Sequence, residues 1–382
     1  MKQVQPPITR RDFLQVAGGA GAFTLVRPEA VRGSQVNSRI SVGVIGVGNR
    51  GTFVAAIMHA DPRARVTALC DLFNDQIEKA TPKIKVEKPA IYKDFEKLLA
   101  SDVDAVVIAT PVFEHPRMLE AVVQARKHIY CEKPMGVDAE GCRRVIATAR
   151  KADPKRCLTV GFQQRYGPGY LEAYKRIREG QIGEISVARA AWISGEWFQP
   201  FLHPEARGEE ARLRNWFCYP ELSGDIIVEQ DCHNLDVLHW FLGATPVRAI
   251  GWGGRKVRTS MAILDHLNLT FEFPNGIHVN YEANQITPPG FRRAGEEFTG
   301  TKGTIATARG SMVHMRSRDD IETIKSERDI TYDAVEGFLQ RVASSHVENT
   351  AERSALSTMI GILGRTAIYT GKEQSWKGLF GA

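Results

Sequence analysis

The sequence predicts two joined parts, an α/β half built on a parallel, doubly wound sheet and a strand-rich α+β half. Three observations carry this. A buried strand runs directly into a glycine-rich turn and a helix at residues 40–60. Apolar strands then alternate with periodic helices as far as residue 151. Beyond residue 156 the pattern changes to period-two alternation with a hairpin turn. The chain has 382 residues, enough for two such cores. Its 43% hydrophobic and 25% charged residues are the balance of a globular protein.

Residues 1–37 stand apart. Thr9-Arg10-Arg11-Asp12-Phe13-Leu14 puts two arginines before a Gly/Ala-rich apolar run from Phe13 to Val26. The run suits a signal h-region and is too short to span a bilayer. Such a start marks the twin-arginine (Tat) route, which exports folded proteins. The expected location is therefore the periplasm or cell envelope of a bacterium. Cleavage after Ala30 and retention as an uncleaved anchor are both open, and the plain alternative is an N-terminal arm. This segment holds five basic and two acidic side chains, half of the net charge of +6. No basic tract with interleaved aromatics remains to suggest nucleic acid, and no apolar run reaches the roughly 18–20 residues of a membrane span.

Ile40 to Ile45 is a short apolar run that reads as a buried strand. Gly46-Val47-Gly48-Asn49-Arg50-Gly51 follows, then a helix from Thr52 to Ala60. A lone G-x-G-x-x-G is weak, but between strand and helix it is a dinucleotide fingerprint. Gly46 permits the tight turn, Gly48 admits a pyrophosphate to the backbone, and Gly51 lets helix and strand pack closely. The next strand, Arg65 to Cys70, ends at Asp71, 20 residues past Gly51. A carboxylate there accepts both ribose hydroxyls and repels a 2′-phosphate, which favours NAD, with NADP the alternative. Alternation continues through a strand at Asp104–Thr110, a helix at Phe113–Lys127, a strand at His128–Cys131 and a helix at Ala139–Lys151. Asp153-Pro154 marks the boundary. It leaves a Rossmann half over 38–155 and a second half over 156–382, entered by a crossing strand from Cys157 to Phe162.

Strand ends line the ligand crevice of such sheets. Thr110-Pro111, with His115 just beyond, follows one; Glu132-Lys133-Pro134 follows another; Gln163-Gln164-Arg165 follows the crossing strand. Together with GVIGVGNRG, CDL, VIATPVFEHP, CEKPMG, VGFQQRY and EEFTGTKGTI, these stretches resemble the Gfo/Idh/MocA family, of which glucose–fructose oxidoreductase and inositol dehydrogenase are members. The resemblance covers residues 38 to about 375. It implies that Lys133 contacts both cofactor and substrate and that the Lys133–Pro134 bond is cis. It also implies cofactor contacts at Thr110, Pro111, His115, Glu132 and Gln163, and an open, mainly antiparallel second sheet whose exposed face builds a dimer or tetramer.

The segment 224–243, GDIIVEQDCHNLDVLHWFLG, reads as one helix buried on one side, with Glu229 and His233 on a shared face. The family pattern has aspartate where Glu229 stands and often glycine at Asp231. Oxidising a secondary alcohol needs a base for the hydroxyl proton as hydride leaves, and imidazole suits that near neutral pH. The expected roles are His233 as base, Glu229 orienting it, and Lys133 holding the substrate oxygen. Arg165, Asp231 and Asp236 are candidate substrate contacts, with a structural role for Asp236 the alternative. A metal set of His233, Asp236 and His239 is disfavoured because their spacing drifts around the helix, so no metal is expected. Six cysteines without CxxC spacing read as reduced thiols. Trp192, Trp197 and Trp216 read equally as sugar-stacking walls or as core.

Gly183–Ser194, Pro246–Trp252, Leu267–Phe273 and Ile277–Tyr281 read as strands, the last two joined by a Pro274-Asn275-Gly276 turn. Residues 196–220 read as a long loop for substrate or oligomer contacts, and Asp333–Ser345 and Ala351–Tyr369 as helices. Export ahead of a nicotinamide site has a chemical consequence. An exported protein cannot exchange NAD freely, so the cofactor must be restored within each cycle. Two functions satisfy this: an oxidoreductase on a sugar, polyol or glycoside hydroxyl, and redox-neutral glycoside cleavage by transient oxidation, elimination and water addition. A cofactor-bound sensor or scaffold is a third class.

Overall fold

The computed structural model describes residues 39–195, 202–288 and 290–381. The twin-arginine segment and Trp197 lie outside them. In the first half, β1 (Ile40–Ile45), β2 (Ala64–Cys70), β3 (Ala90–Tyr92), β4 (Ala105–Ile108), β5 (His128–Cys131) and β6 (Leu158–Val160) form one sheet in the order β3-β2-β1-β4-β5-β6. Every pairing in it is parallel. Helices α1 (Asn49–Ala60), α2 (Asn74–Ile84), α3 (Phe95–Leu99), α4 (His115–Gln124) and α5 (Ala139–Ala149) are its crossovers. Burial on both faces explains why β4 and β5 read as continuous apolar runs. The helix expected over 113–127 divides into a 3-10 turn at Val112–Glu114 and α4, with Pro116 in the first turn of α4, where no N–H is missed.

In the second half, β7 (Ile185–Ile193), β8 (Arg248–Gly254), β9 (His266–Phe273), β10 (Ile277–Asn284), β11 (Arg293–Gly300), β12 (Thr304–Ala308), β13 (Ser311–Met315), β14 (Ile321–Lys325) and β15 (Gln374–Ser375) form a second sheet. Its order is β14-β13-β12-β11-β7-β10-β9-β8-β15. Only β7 and β10 run parallel; the other pairs are antiparallel. The hairpin turn between β9 and β10 puts Asn275 and Gly276 at φ 63° and 72°, the left-handed region these two residues tolerate best. Leu267, Leu269, Phe271, Val279 and Tyr281 point into the core, while Asn268, Asn280, Arg189 and Trp252 (68% exposed) stand on the open face.

α6 (Pro168–Arg178) packs on β12 and β13. The expected loop 196–220 holds, within its described part, α7 (Gly208–Arg214) and a 3-10 turn at Trp216–Cys218; α8 (Pro220–Ser223) follows. The expected helix over 224–243 is two, α9 (Asp225–Glu229) and α10 (Cys232–Leu242). The chain closes with α11 (Ile330–Ala343), α12 (Ala351–Thr370) and α13 (Trp376–Phe380). Val335, Phe338 and Leu339 of α11 share a core with Val44, Leu69 and Tyr130, so this late helix completes the first half. All six cysteines are free thiols. No helix among the described residues is long and apolar enough to cross a membrane.

Candidate active site

The glycine turn is fixed by contact distances. Gly46 has φ 84°, and a Cβ there would meet the Ala109 carbonyl oxygen at 2.6 Å. A Cβ on Gly51 would lie 1.9 Å from the Gly46 carbonyl oxygen. A Cβ on Gly48 would meet nothing within 4 Å. The turn is therefore tight at its two outer glycines and open at the middle one, ahead of the α1 N-terminus, as a pyrophosphate requires. Asp71 accepts the Val47 N–H and the Phe73 N–H, each at 2.9 Å, which sets its carboxylate beside the turn. Burial raises its pKa against the pull of those two donors. The residues present fit an NAD, whose phosphates would lie at the Gly46–Gly51 turn and whose ribose would meet Asp71.

Arg50 donates from Nε to Glu132 Oε1 at 2.9 Å and over a longer reach to Thr331. Burial opposes its charge and Glu132 outweighs the cost, so its pKa is raised. One Arg50 nitrogen, Nη2, and the second Glu132 oxygen are buried without a partner. A Cβ on Gly161 would meet that carboxylate at 2.8 Å, so the end of β6 is shaped around Glu132. Lys133–Pro134 is a cis peptide. His115 is 1% exposed and sets Nδ1 2.7 Å from the Pro134 carbonyl and Nε2 2.9 Å from the Thr110 carbonyl. His115 thus stands between the Thr110-Pro111 loop and the Lys133-Pro134 turn, and burial keeps its ring neutral, with one N–H to donate to one of the two carbonyls.

The broken helix corrects an expectation. On one continuous helix Glu229 would face His233. The ladder instead breaks at Gln230 and Asp231, where the Gln230 side chain accepts from Gln285 Nε2 at 2.7 Å. Glu229 turns to Lys133, whose Nζ donates to the Glu229 carbonyl at 2.5 Å and to its Oε1 at 3.0 Å. Burial works against the ammonium, Glu229 overcomes it, and the Lys133 pKa is raised. His233 is held by rings: Trp192 stacks on it at 5.6 Å and Phe162 meets it edge-on at 6.1 Å. Among the described residues no hydrogen bond holds its ring nitrogens, and Nδ1 is buried. Burial, then the charges of Lys133, Arg309 and Arg50, push its pKa well below the imidazole range. The site thus presents a charged ammonium beside a neutral imidazole.

Asp231 is fully buried, with the Tyr281 hydroxyl as its polar neighbour. Burial, then Asp225 and Glu229, push its pKa well above the carboxylate range. The Tyr281 hydroxyl also lies 3.3 Å from Asn234 Oδ1, to which it donates. Asn234 in turn donates to Glu296, which also accepts from Thr307 Oγ1 at 2.7 Å. Asp236 and Arg165 meet each other: Nε and Nη2 of Arg165 each donate to the carboxylate at 2.8 Å, and Ser357 donates to it at 2.7 Å. Arg165 also lies over the Trp240 ring. Asp236 is fully buried in this clamp, in the structural position that the sequence left open for it. His239 bonds Ser357, and no three metal-ligand side chains cluster among the described residues.

Sequence reasoning missed Arg309 in the β12–β13 turn. It bonds Asp329 and Thr331, and the Gln163 amide fits with its oxygen toward Arg309 and its nitrogen toward the Gly161 carbonyl. Arg309 sits in a turn with no motif around it, so only its place in space brings it to the crevice.

Comparisons with known proteins agree with this geometry. Residues 40–162 match the Gfo/Idh/MocA model described as an oxidoreductase family with an NAD-binding Rossmann fold, and residues 170–306 match the family's C-terminal domain. Inositol 2-dehydrogenase of Salmonella typhimurium (strain LT2) is 28% identical over 245 residues, 64% of this chain and 66% of that protein. Inositol 2-dehydrogenase of Rhizobium meliloti (strain 1021) is 30% identical over 208 residues, 54% of this chain and 56% of that protein. The chain thus spans about two thirds or less of the length of these relatives. Levoglucosan dehydrogenase, solved with NADH and levoglucosan, superimposes with a TM-score of 0.74 at 18% identity, covering 88% of this chain and 99% of that one. Myo-inositol 2-dehydrogenase from Lactobacillus plantarum gives 0.73 at 20% identity, with 88% and 99% covered. These two likenesses show the fold.

Proposed function

Given that the chain belongs to the Gfo/Idh/MocA family of oxidoreductases with an NAD-binding Rossmann fold, we propose that it oxidises a secondary hydroxyl of a cyclic polyol, sugar or glycoside. The observation that carries the reading is the pairing of a charged Lys133 with a neutral His233 at the strand ends beside the glycine turn. Lys133, held by Glu229, polarises the substrate oxygen. His233 takes the hydroxyl proton as the adjacent carbon becomes a carbonyl. Bound NAD supplies the acceptor for the hydride that leaves that carbon. Trp192 and Phe162 hold the imidazole in place by packing, so removal of either ring loosens the base.

The similarity to inositol 2-dehydrogenases supports a ring-hydroxyl substrate. The twin-arginine start supports export with the cofactor loaded and recycled within the site. The open face of the second sheet, with Trp252 exposed, supports a homo-oligomer. The test is to purify the protein without added cofactor and offer free polyols, sugars and aryl glycosides. Absorbance at ~340 nm that rises with a free polyol or sugar and persists until a second carbonyl arrives is the expected result. Aryl alcohol released with no lasting 340 nm signal replaces this reading with redox-neutral glycoside cleavage.

A further inference from the structure

We propose that Arg214 retains the bound dinucleotide by fastening residues 202–223, part of the second half, onto the ribose corner of the first. Arg214 ends α7. Its Nη2 and Nη1 reach Asp75 Oδ1 and Oδ2 at 2.8 and 3.2 Å, and its Nε reaches Glu210 at 2.7 Å. Its guanidinium carbon lies 3.9 Å from the centre of the Phe73 ring. The side chain is 12% exposed. Phe73 and Asp75 stand two and four residues after Asp71, and Asp71 itself accepts the Phe73 N–H. Arg214 therefore grips the loop that carries the ribose carboxylate.

The same segment is fastened a second time. α8 packs against the 3-10 turn Val112–Glu114, which follows Thr110-Pro111 at the end of β4. The sheet order places β1 between β2 and β4, so these two anchor points flank the glycine turn. A ligand in the crevice at those strand ends leaves past a segment tied down on both sides. The tie is directed rather than generic. The N-terminus of α2 repels a cation, and Arg214 stays there because two carboxylates and an aromatic face hold it. Asp75 responds with a pKa well below the carboxylate range, first through its hydrogen bond to Arg214. This inference rests on the NAD site and is independent of which hydroxyl is oxidised.

The test uses the full chain loaded with NADH, mixed rapidly with excess NAD, and followed by NADH fluorescence. Arg214→Ala and Asp75→Asn should each release NADH roughly tenfold faster or more. The double variant should release no faster than about twice either single, because both break one link. Arg214→Lys keeps the charge without the planar fork and should fall between. Bound NADH should also slow proteolytic cleavage within residues 202–223 of the wild type and not of Arg214→Ala. Release at the wild-type rate from Arg214→Ala overturns the proposal, as does a double variant whose effect is the product of the singles. Should Arg214→Ala fail to fold, Arg214→Lys and Asp75→Asn carry the same comparison. A wild-type chain that binds no NADH fails differently: it removes the NAD site itself and this inference with it.

Discussion

The glycine turn at residues 46–51 and the broken helix at 225–242 face the same crevice but are built on opposite principles. The turn is specified by steric exclusion against backbone carbonyls, Gly51 against Gly46 at 1.9 Å within the turn and Gly46 against Ala109 at 2.6 Å at the end of β4. The broken helix is specified by charge, and its partners come from far along the chain. Glu229 meets Lys133, Asn234 meets Glu296, and Asp236 meets Arg165. A steric device works by leaving room for a ligand. A buried polar device works by widening the gap between two protonation equilibria, keeping Lys133 charged to higher pH and His233 neutral to lower pH than water would. The two regions should therefore fail in different ways.

The largest separation comes from one substitution in each. His233→Ala should lower kcat by about 10²–10⁴-fold while NADH affinity, read by fluorescence titration, stays near wild type. Gly51→Ala should do the reverse, abolishing NADH binding and lowering Tm because the turn cannot close. A His233→Ala enzyme with wild-type turnover would remove the imidazole from the mechanism. Next in size is Asp236→Ala, which leaves Arg165 buried and unpaired and should cost about 3–5 kcal/mol in chemical denaturation.

A smaller effect tests the corrected pairing. Glu229→Gln removes the anion that offsets the burial of Lys133, so the ammonium should lose its proton at lower pH. The alkaline limb of kcat/KM should move down in pH while the acid limb stays in place. Movement of the acid limb instead would return Glu229 to His233.

The mildest test concerns Glu296, whose pKa burial pushes up to about 8, above its ordinary 4.5. Its contribution to stability is full below about pH 4.5 and is lost as pH rises through about 8. Glu296→Gln cannot ionise. It should melt above the wild type at alkaline pH and close to it in acid, as a Tm series across pH would record. Equal melting at alkaline pH would place the Glu296 charge in a wetter setting than its burial indicates.

The contrast also explains what the sequence made legible. The Lys133-Pro134 turn could be read through the family resemblance, and the parallel sheet, the glycine turn and Asp71 because each is a local pattern beside a strand end. The hairpin at Asn275-Gly276 could be read for the same reason. The partners of His115 and Asp236 could not be read in the same way, because the Pro134 carbonyl and the Arg165 guanidinium come from other strand ends.

The sequence by itself determined the strand, turn and helix at residues 40–60, the strand ends that follow β2, β4, β5 and β6, and the residue types available for proton transfer. Backbone sterics and hydrophobic periodicity act over one or two turns of chain, so a string of residues records them. The tertiary structure alone decided that Glu229 serves Lys133, that Arg309 reaches Gln163, and that Arg214 crosses 139 residues of sequence to Asp75. Burial strengthens such pairs and removes the competing water, and which groups share a buried space is set only when the two sheets and the helices between them have packed.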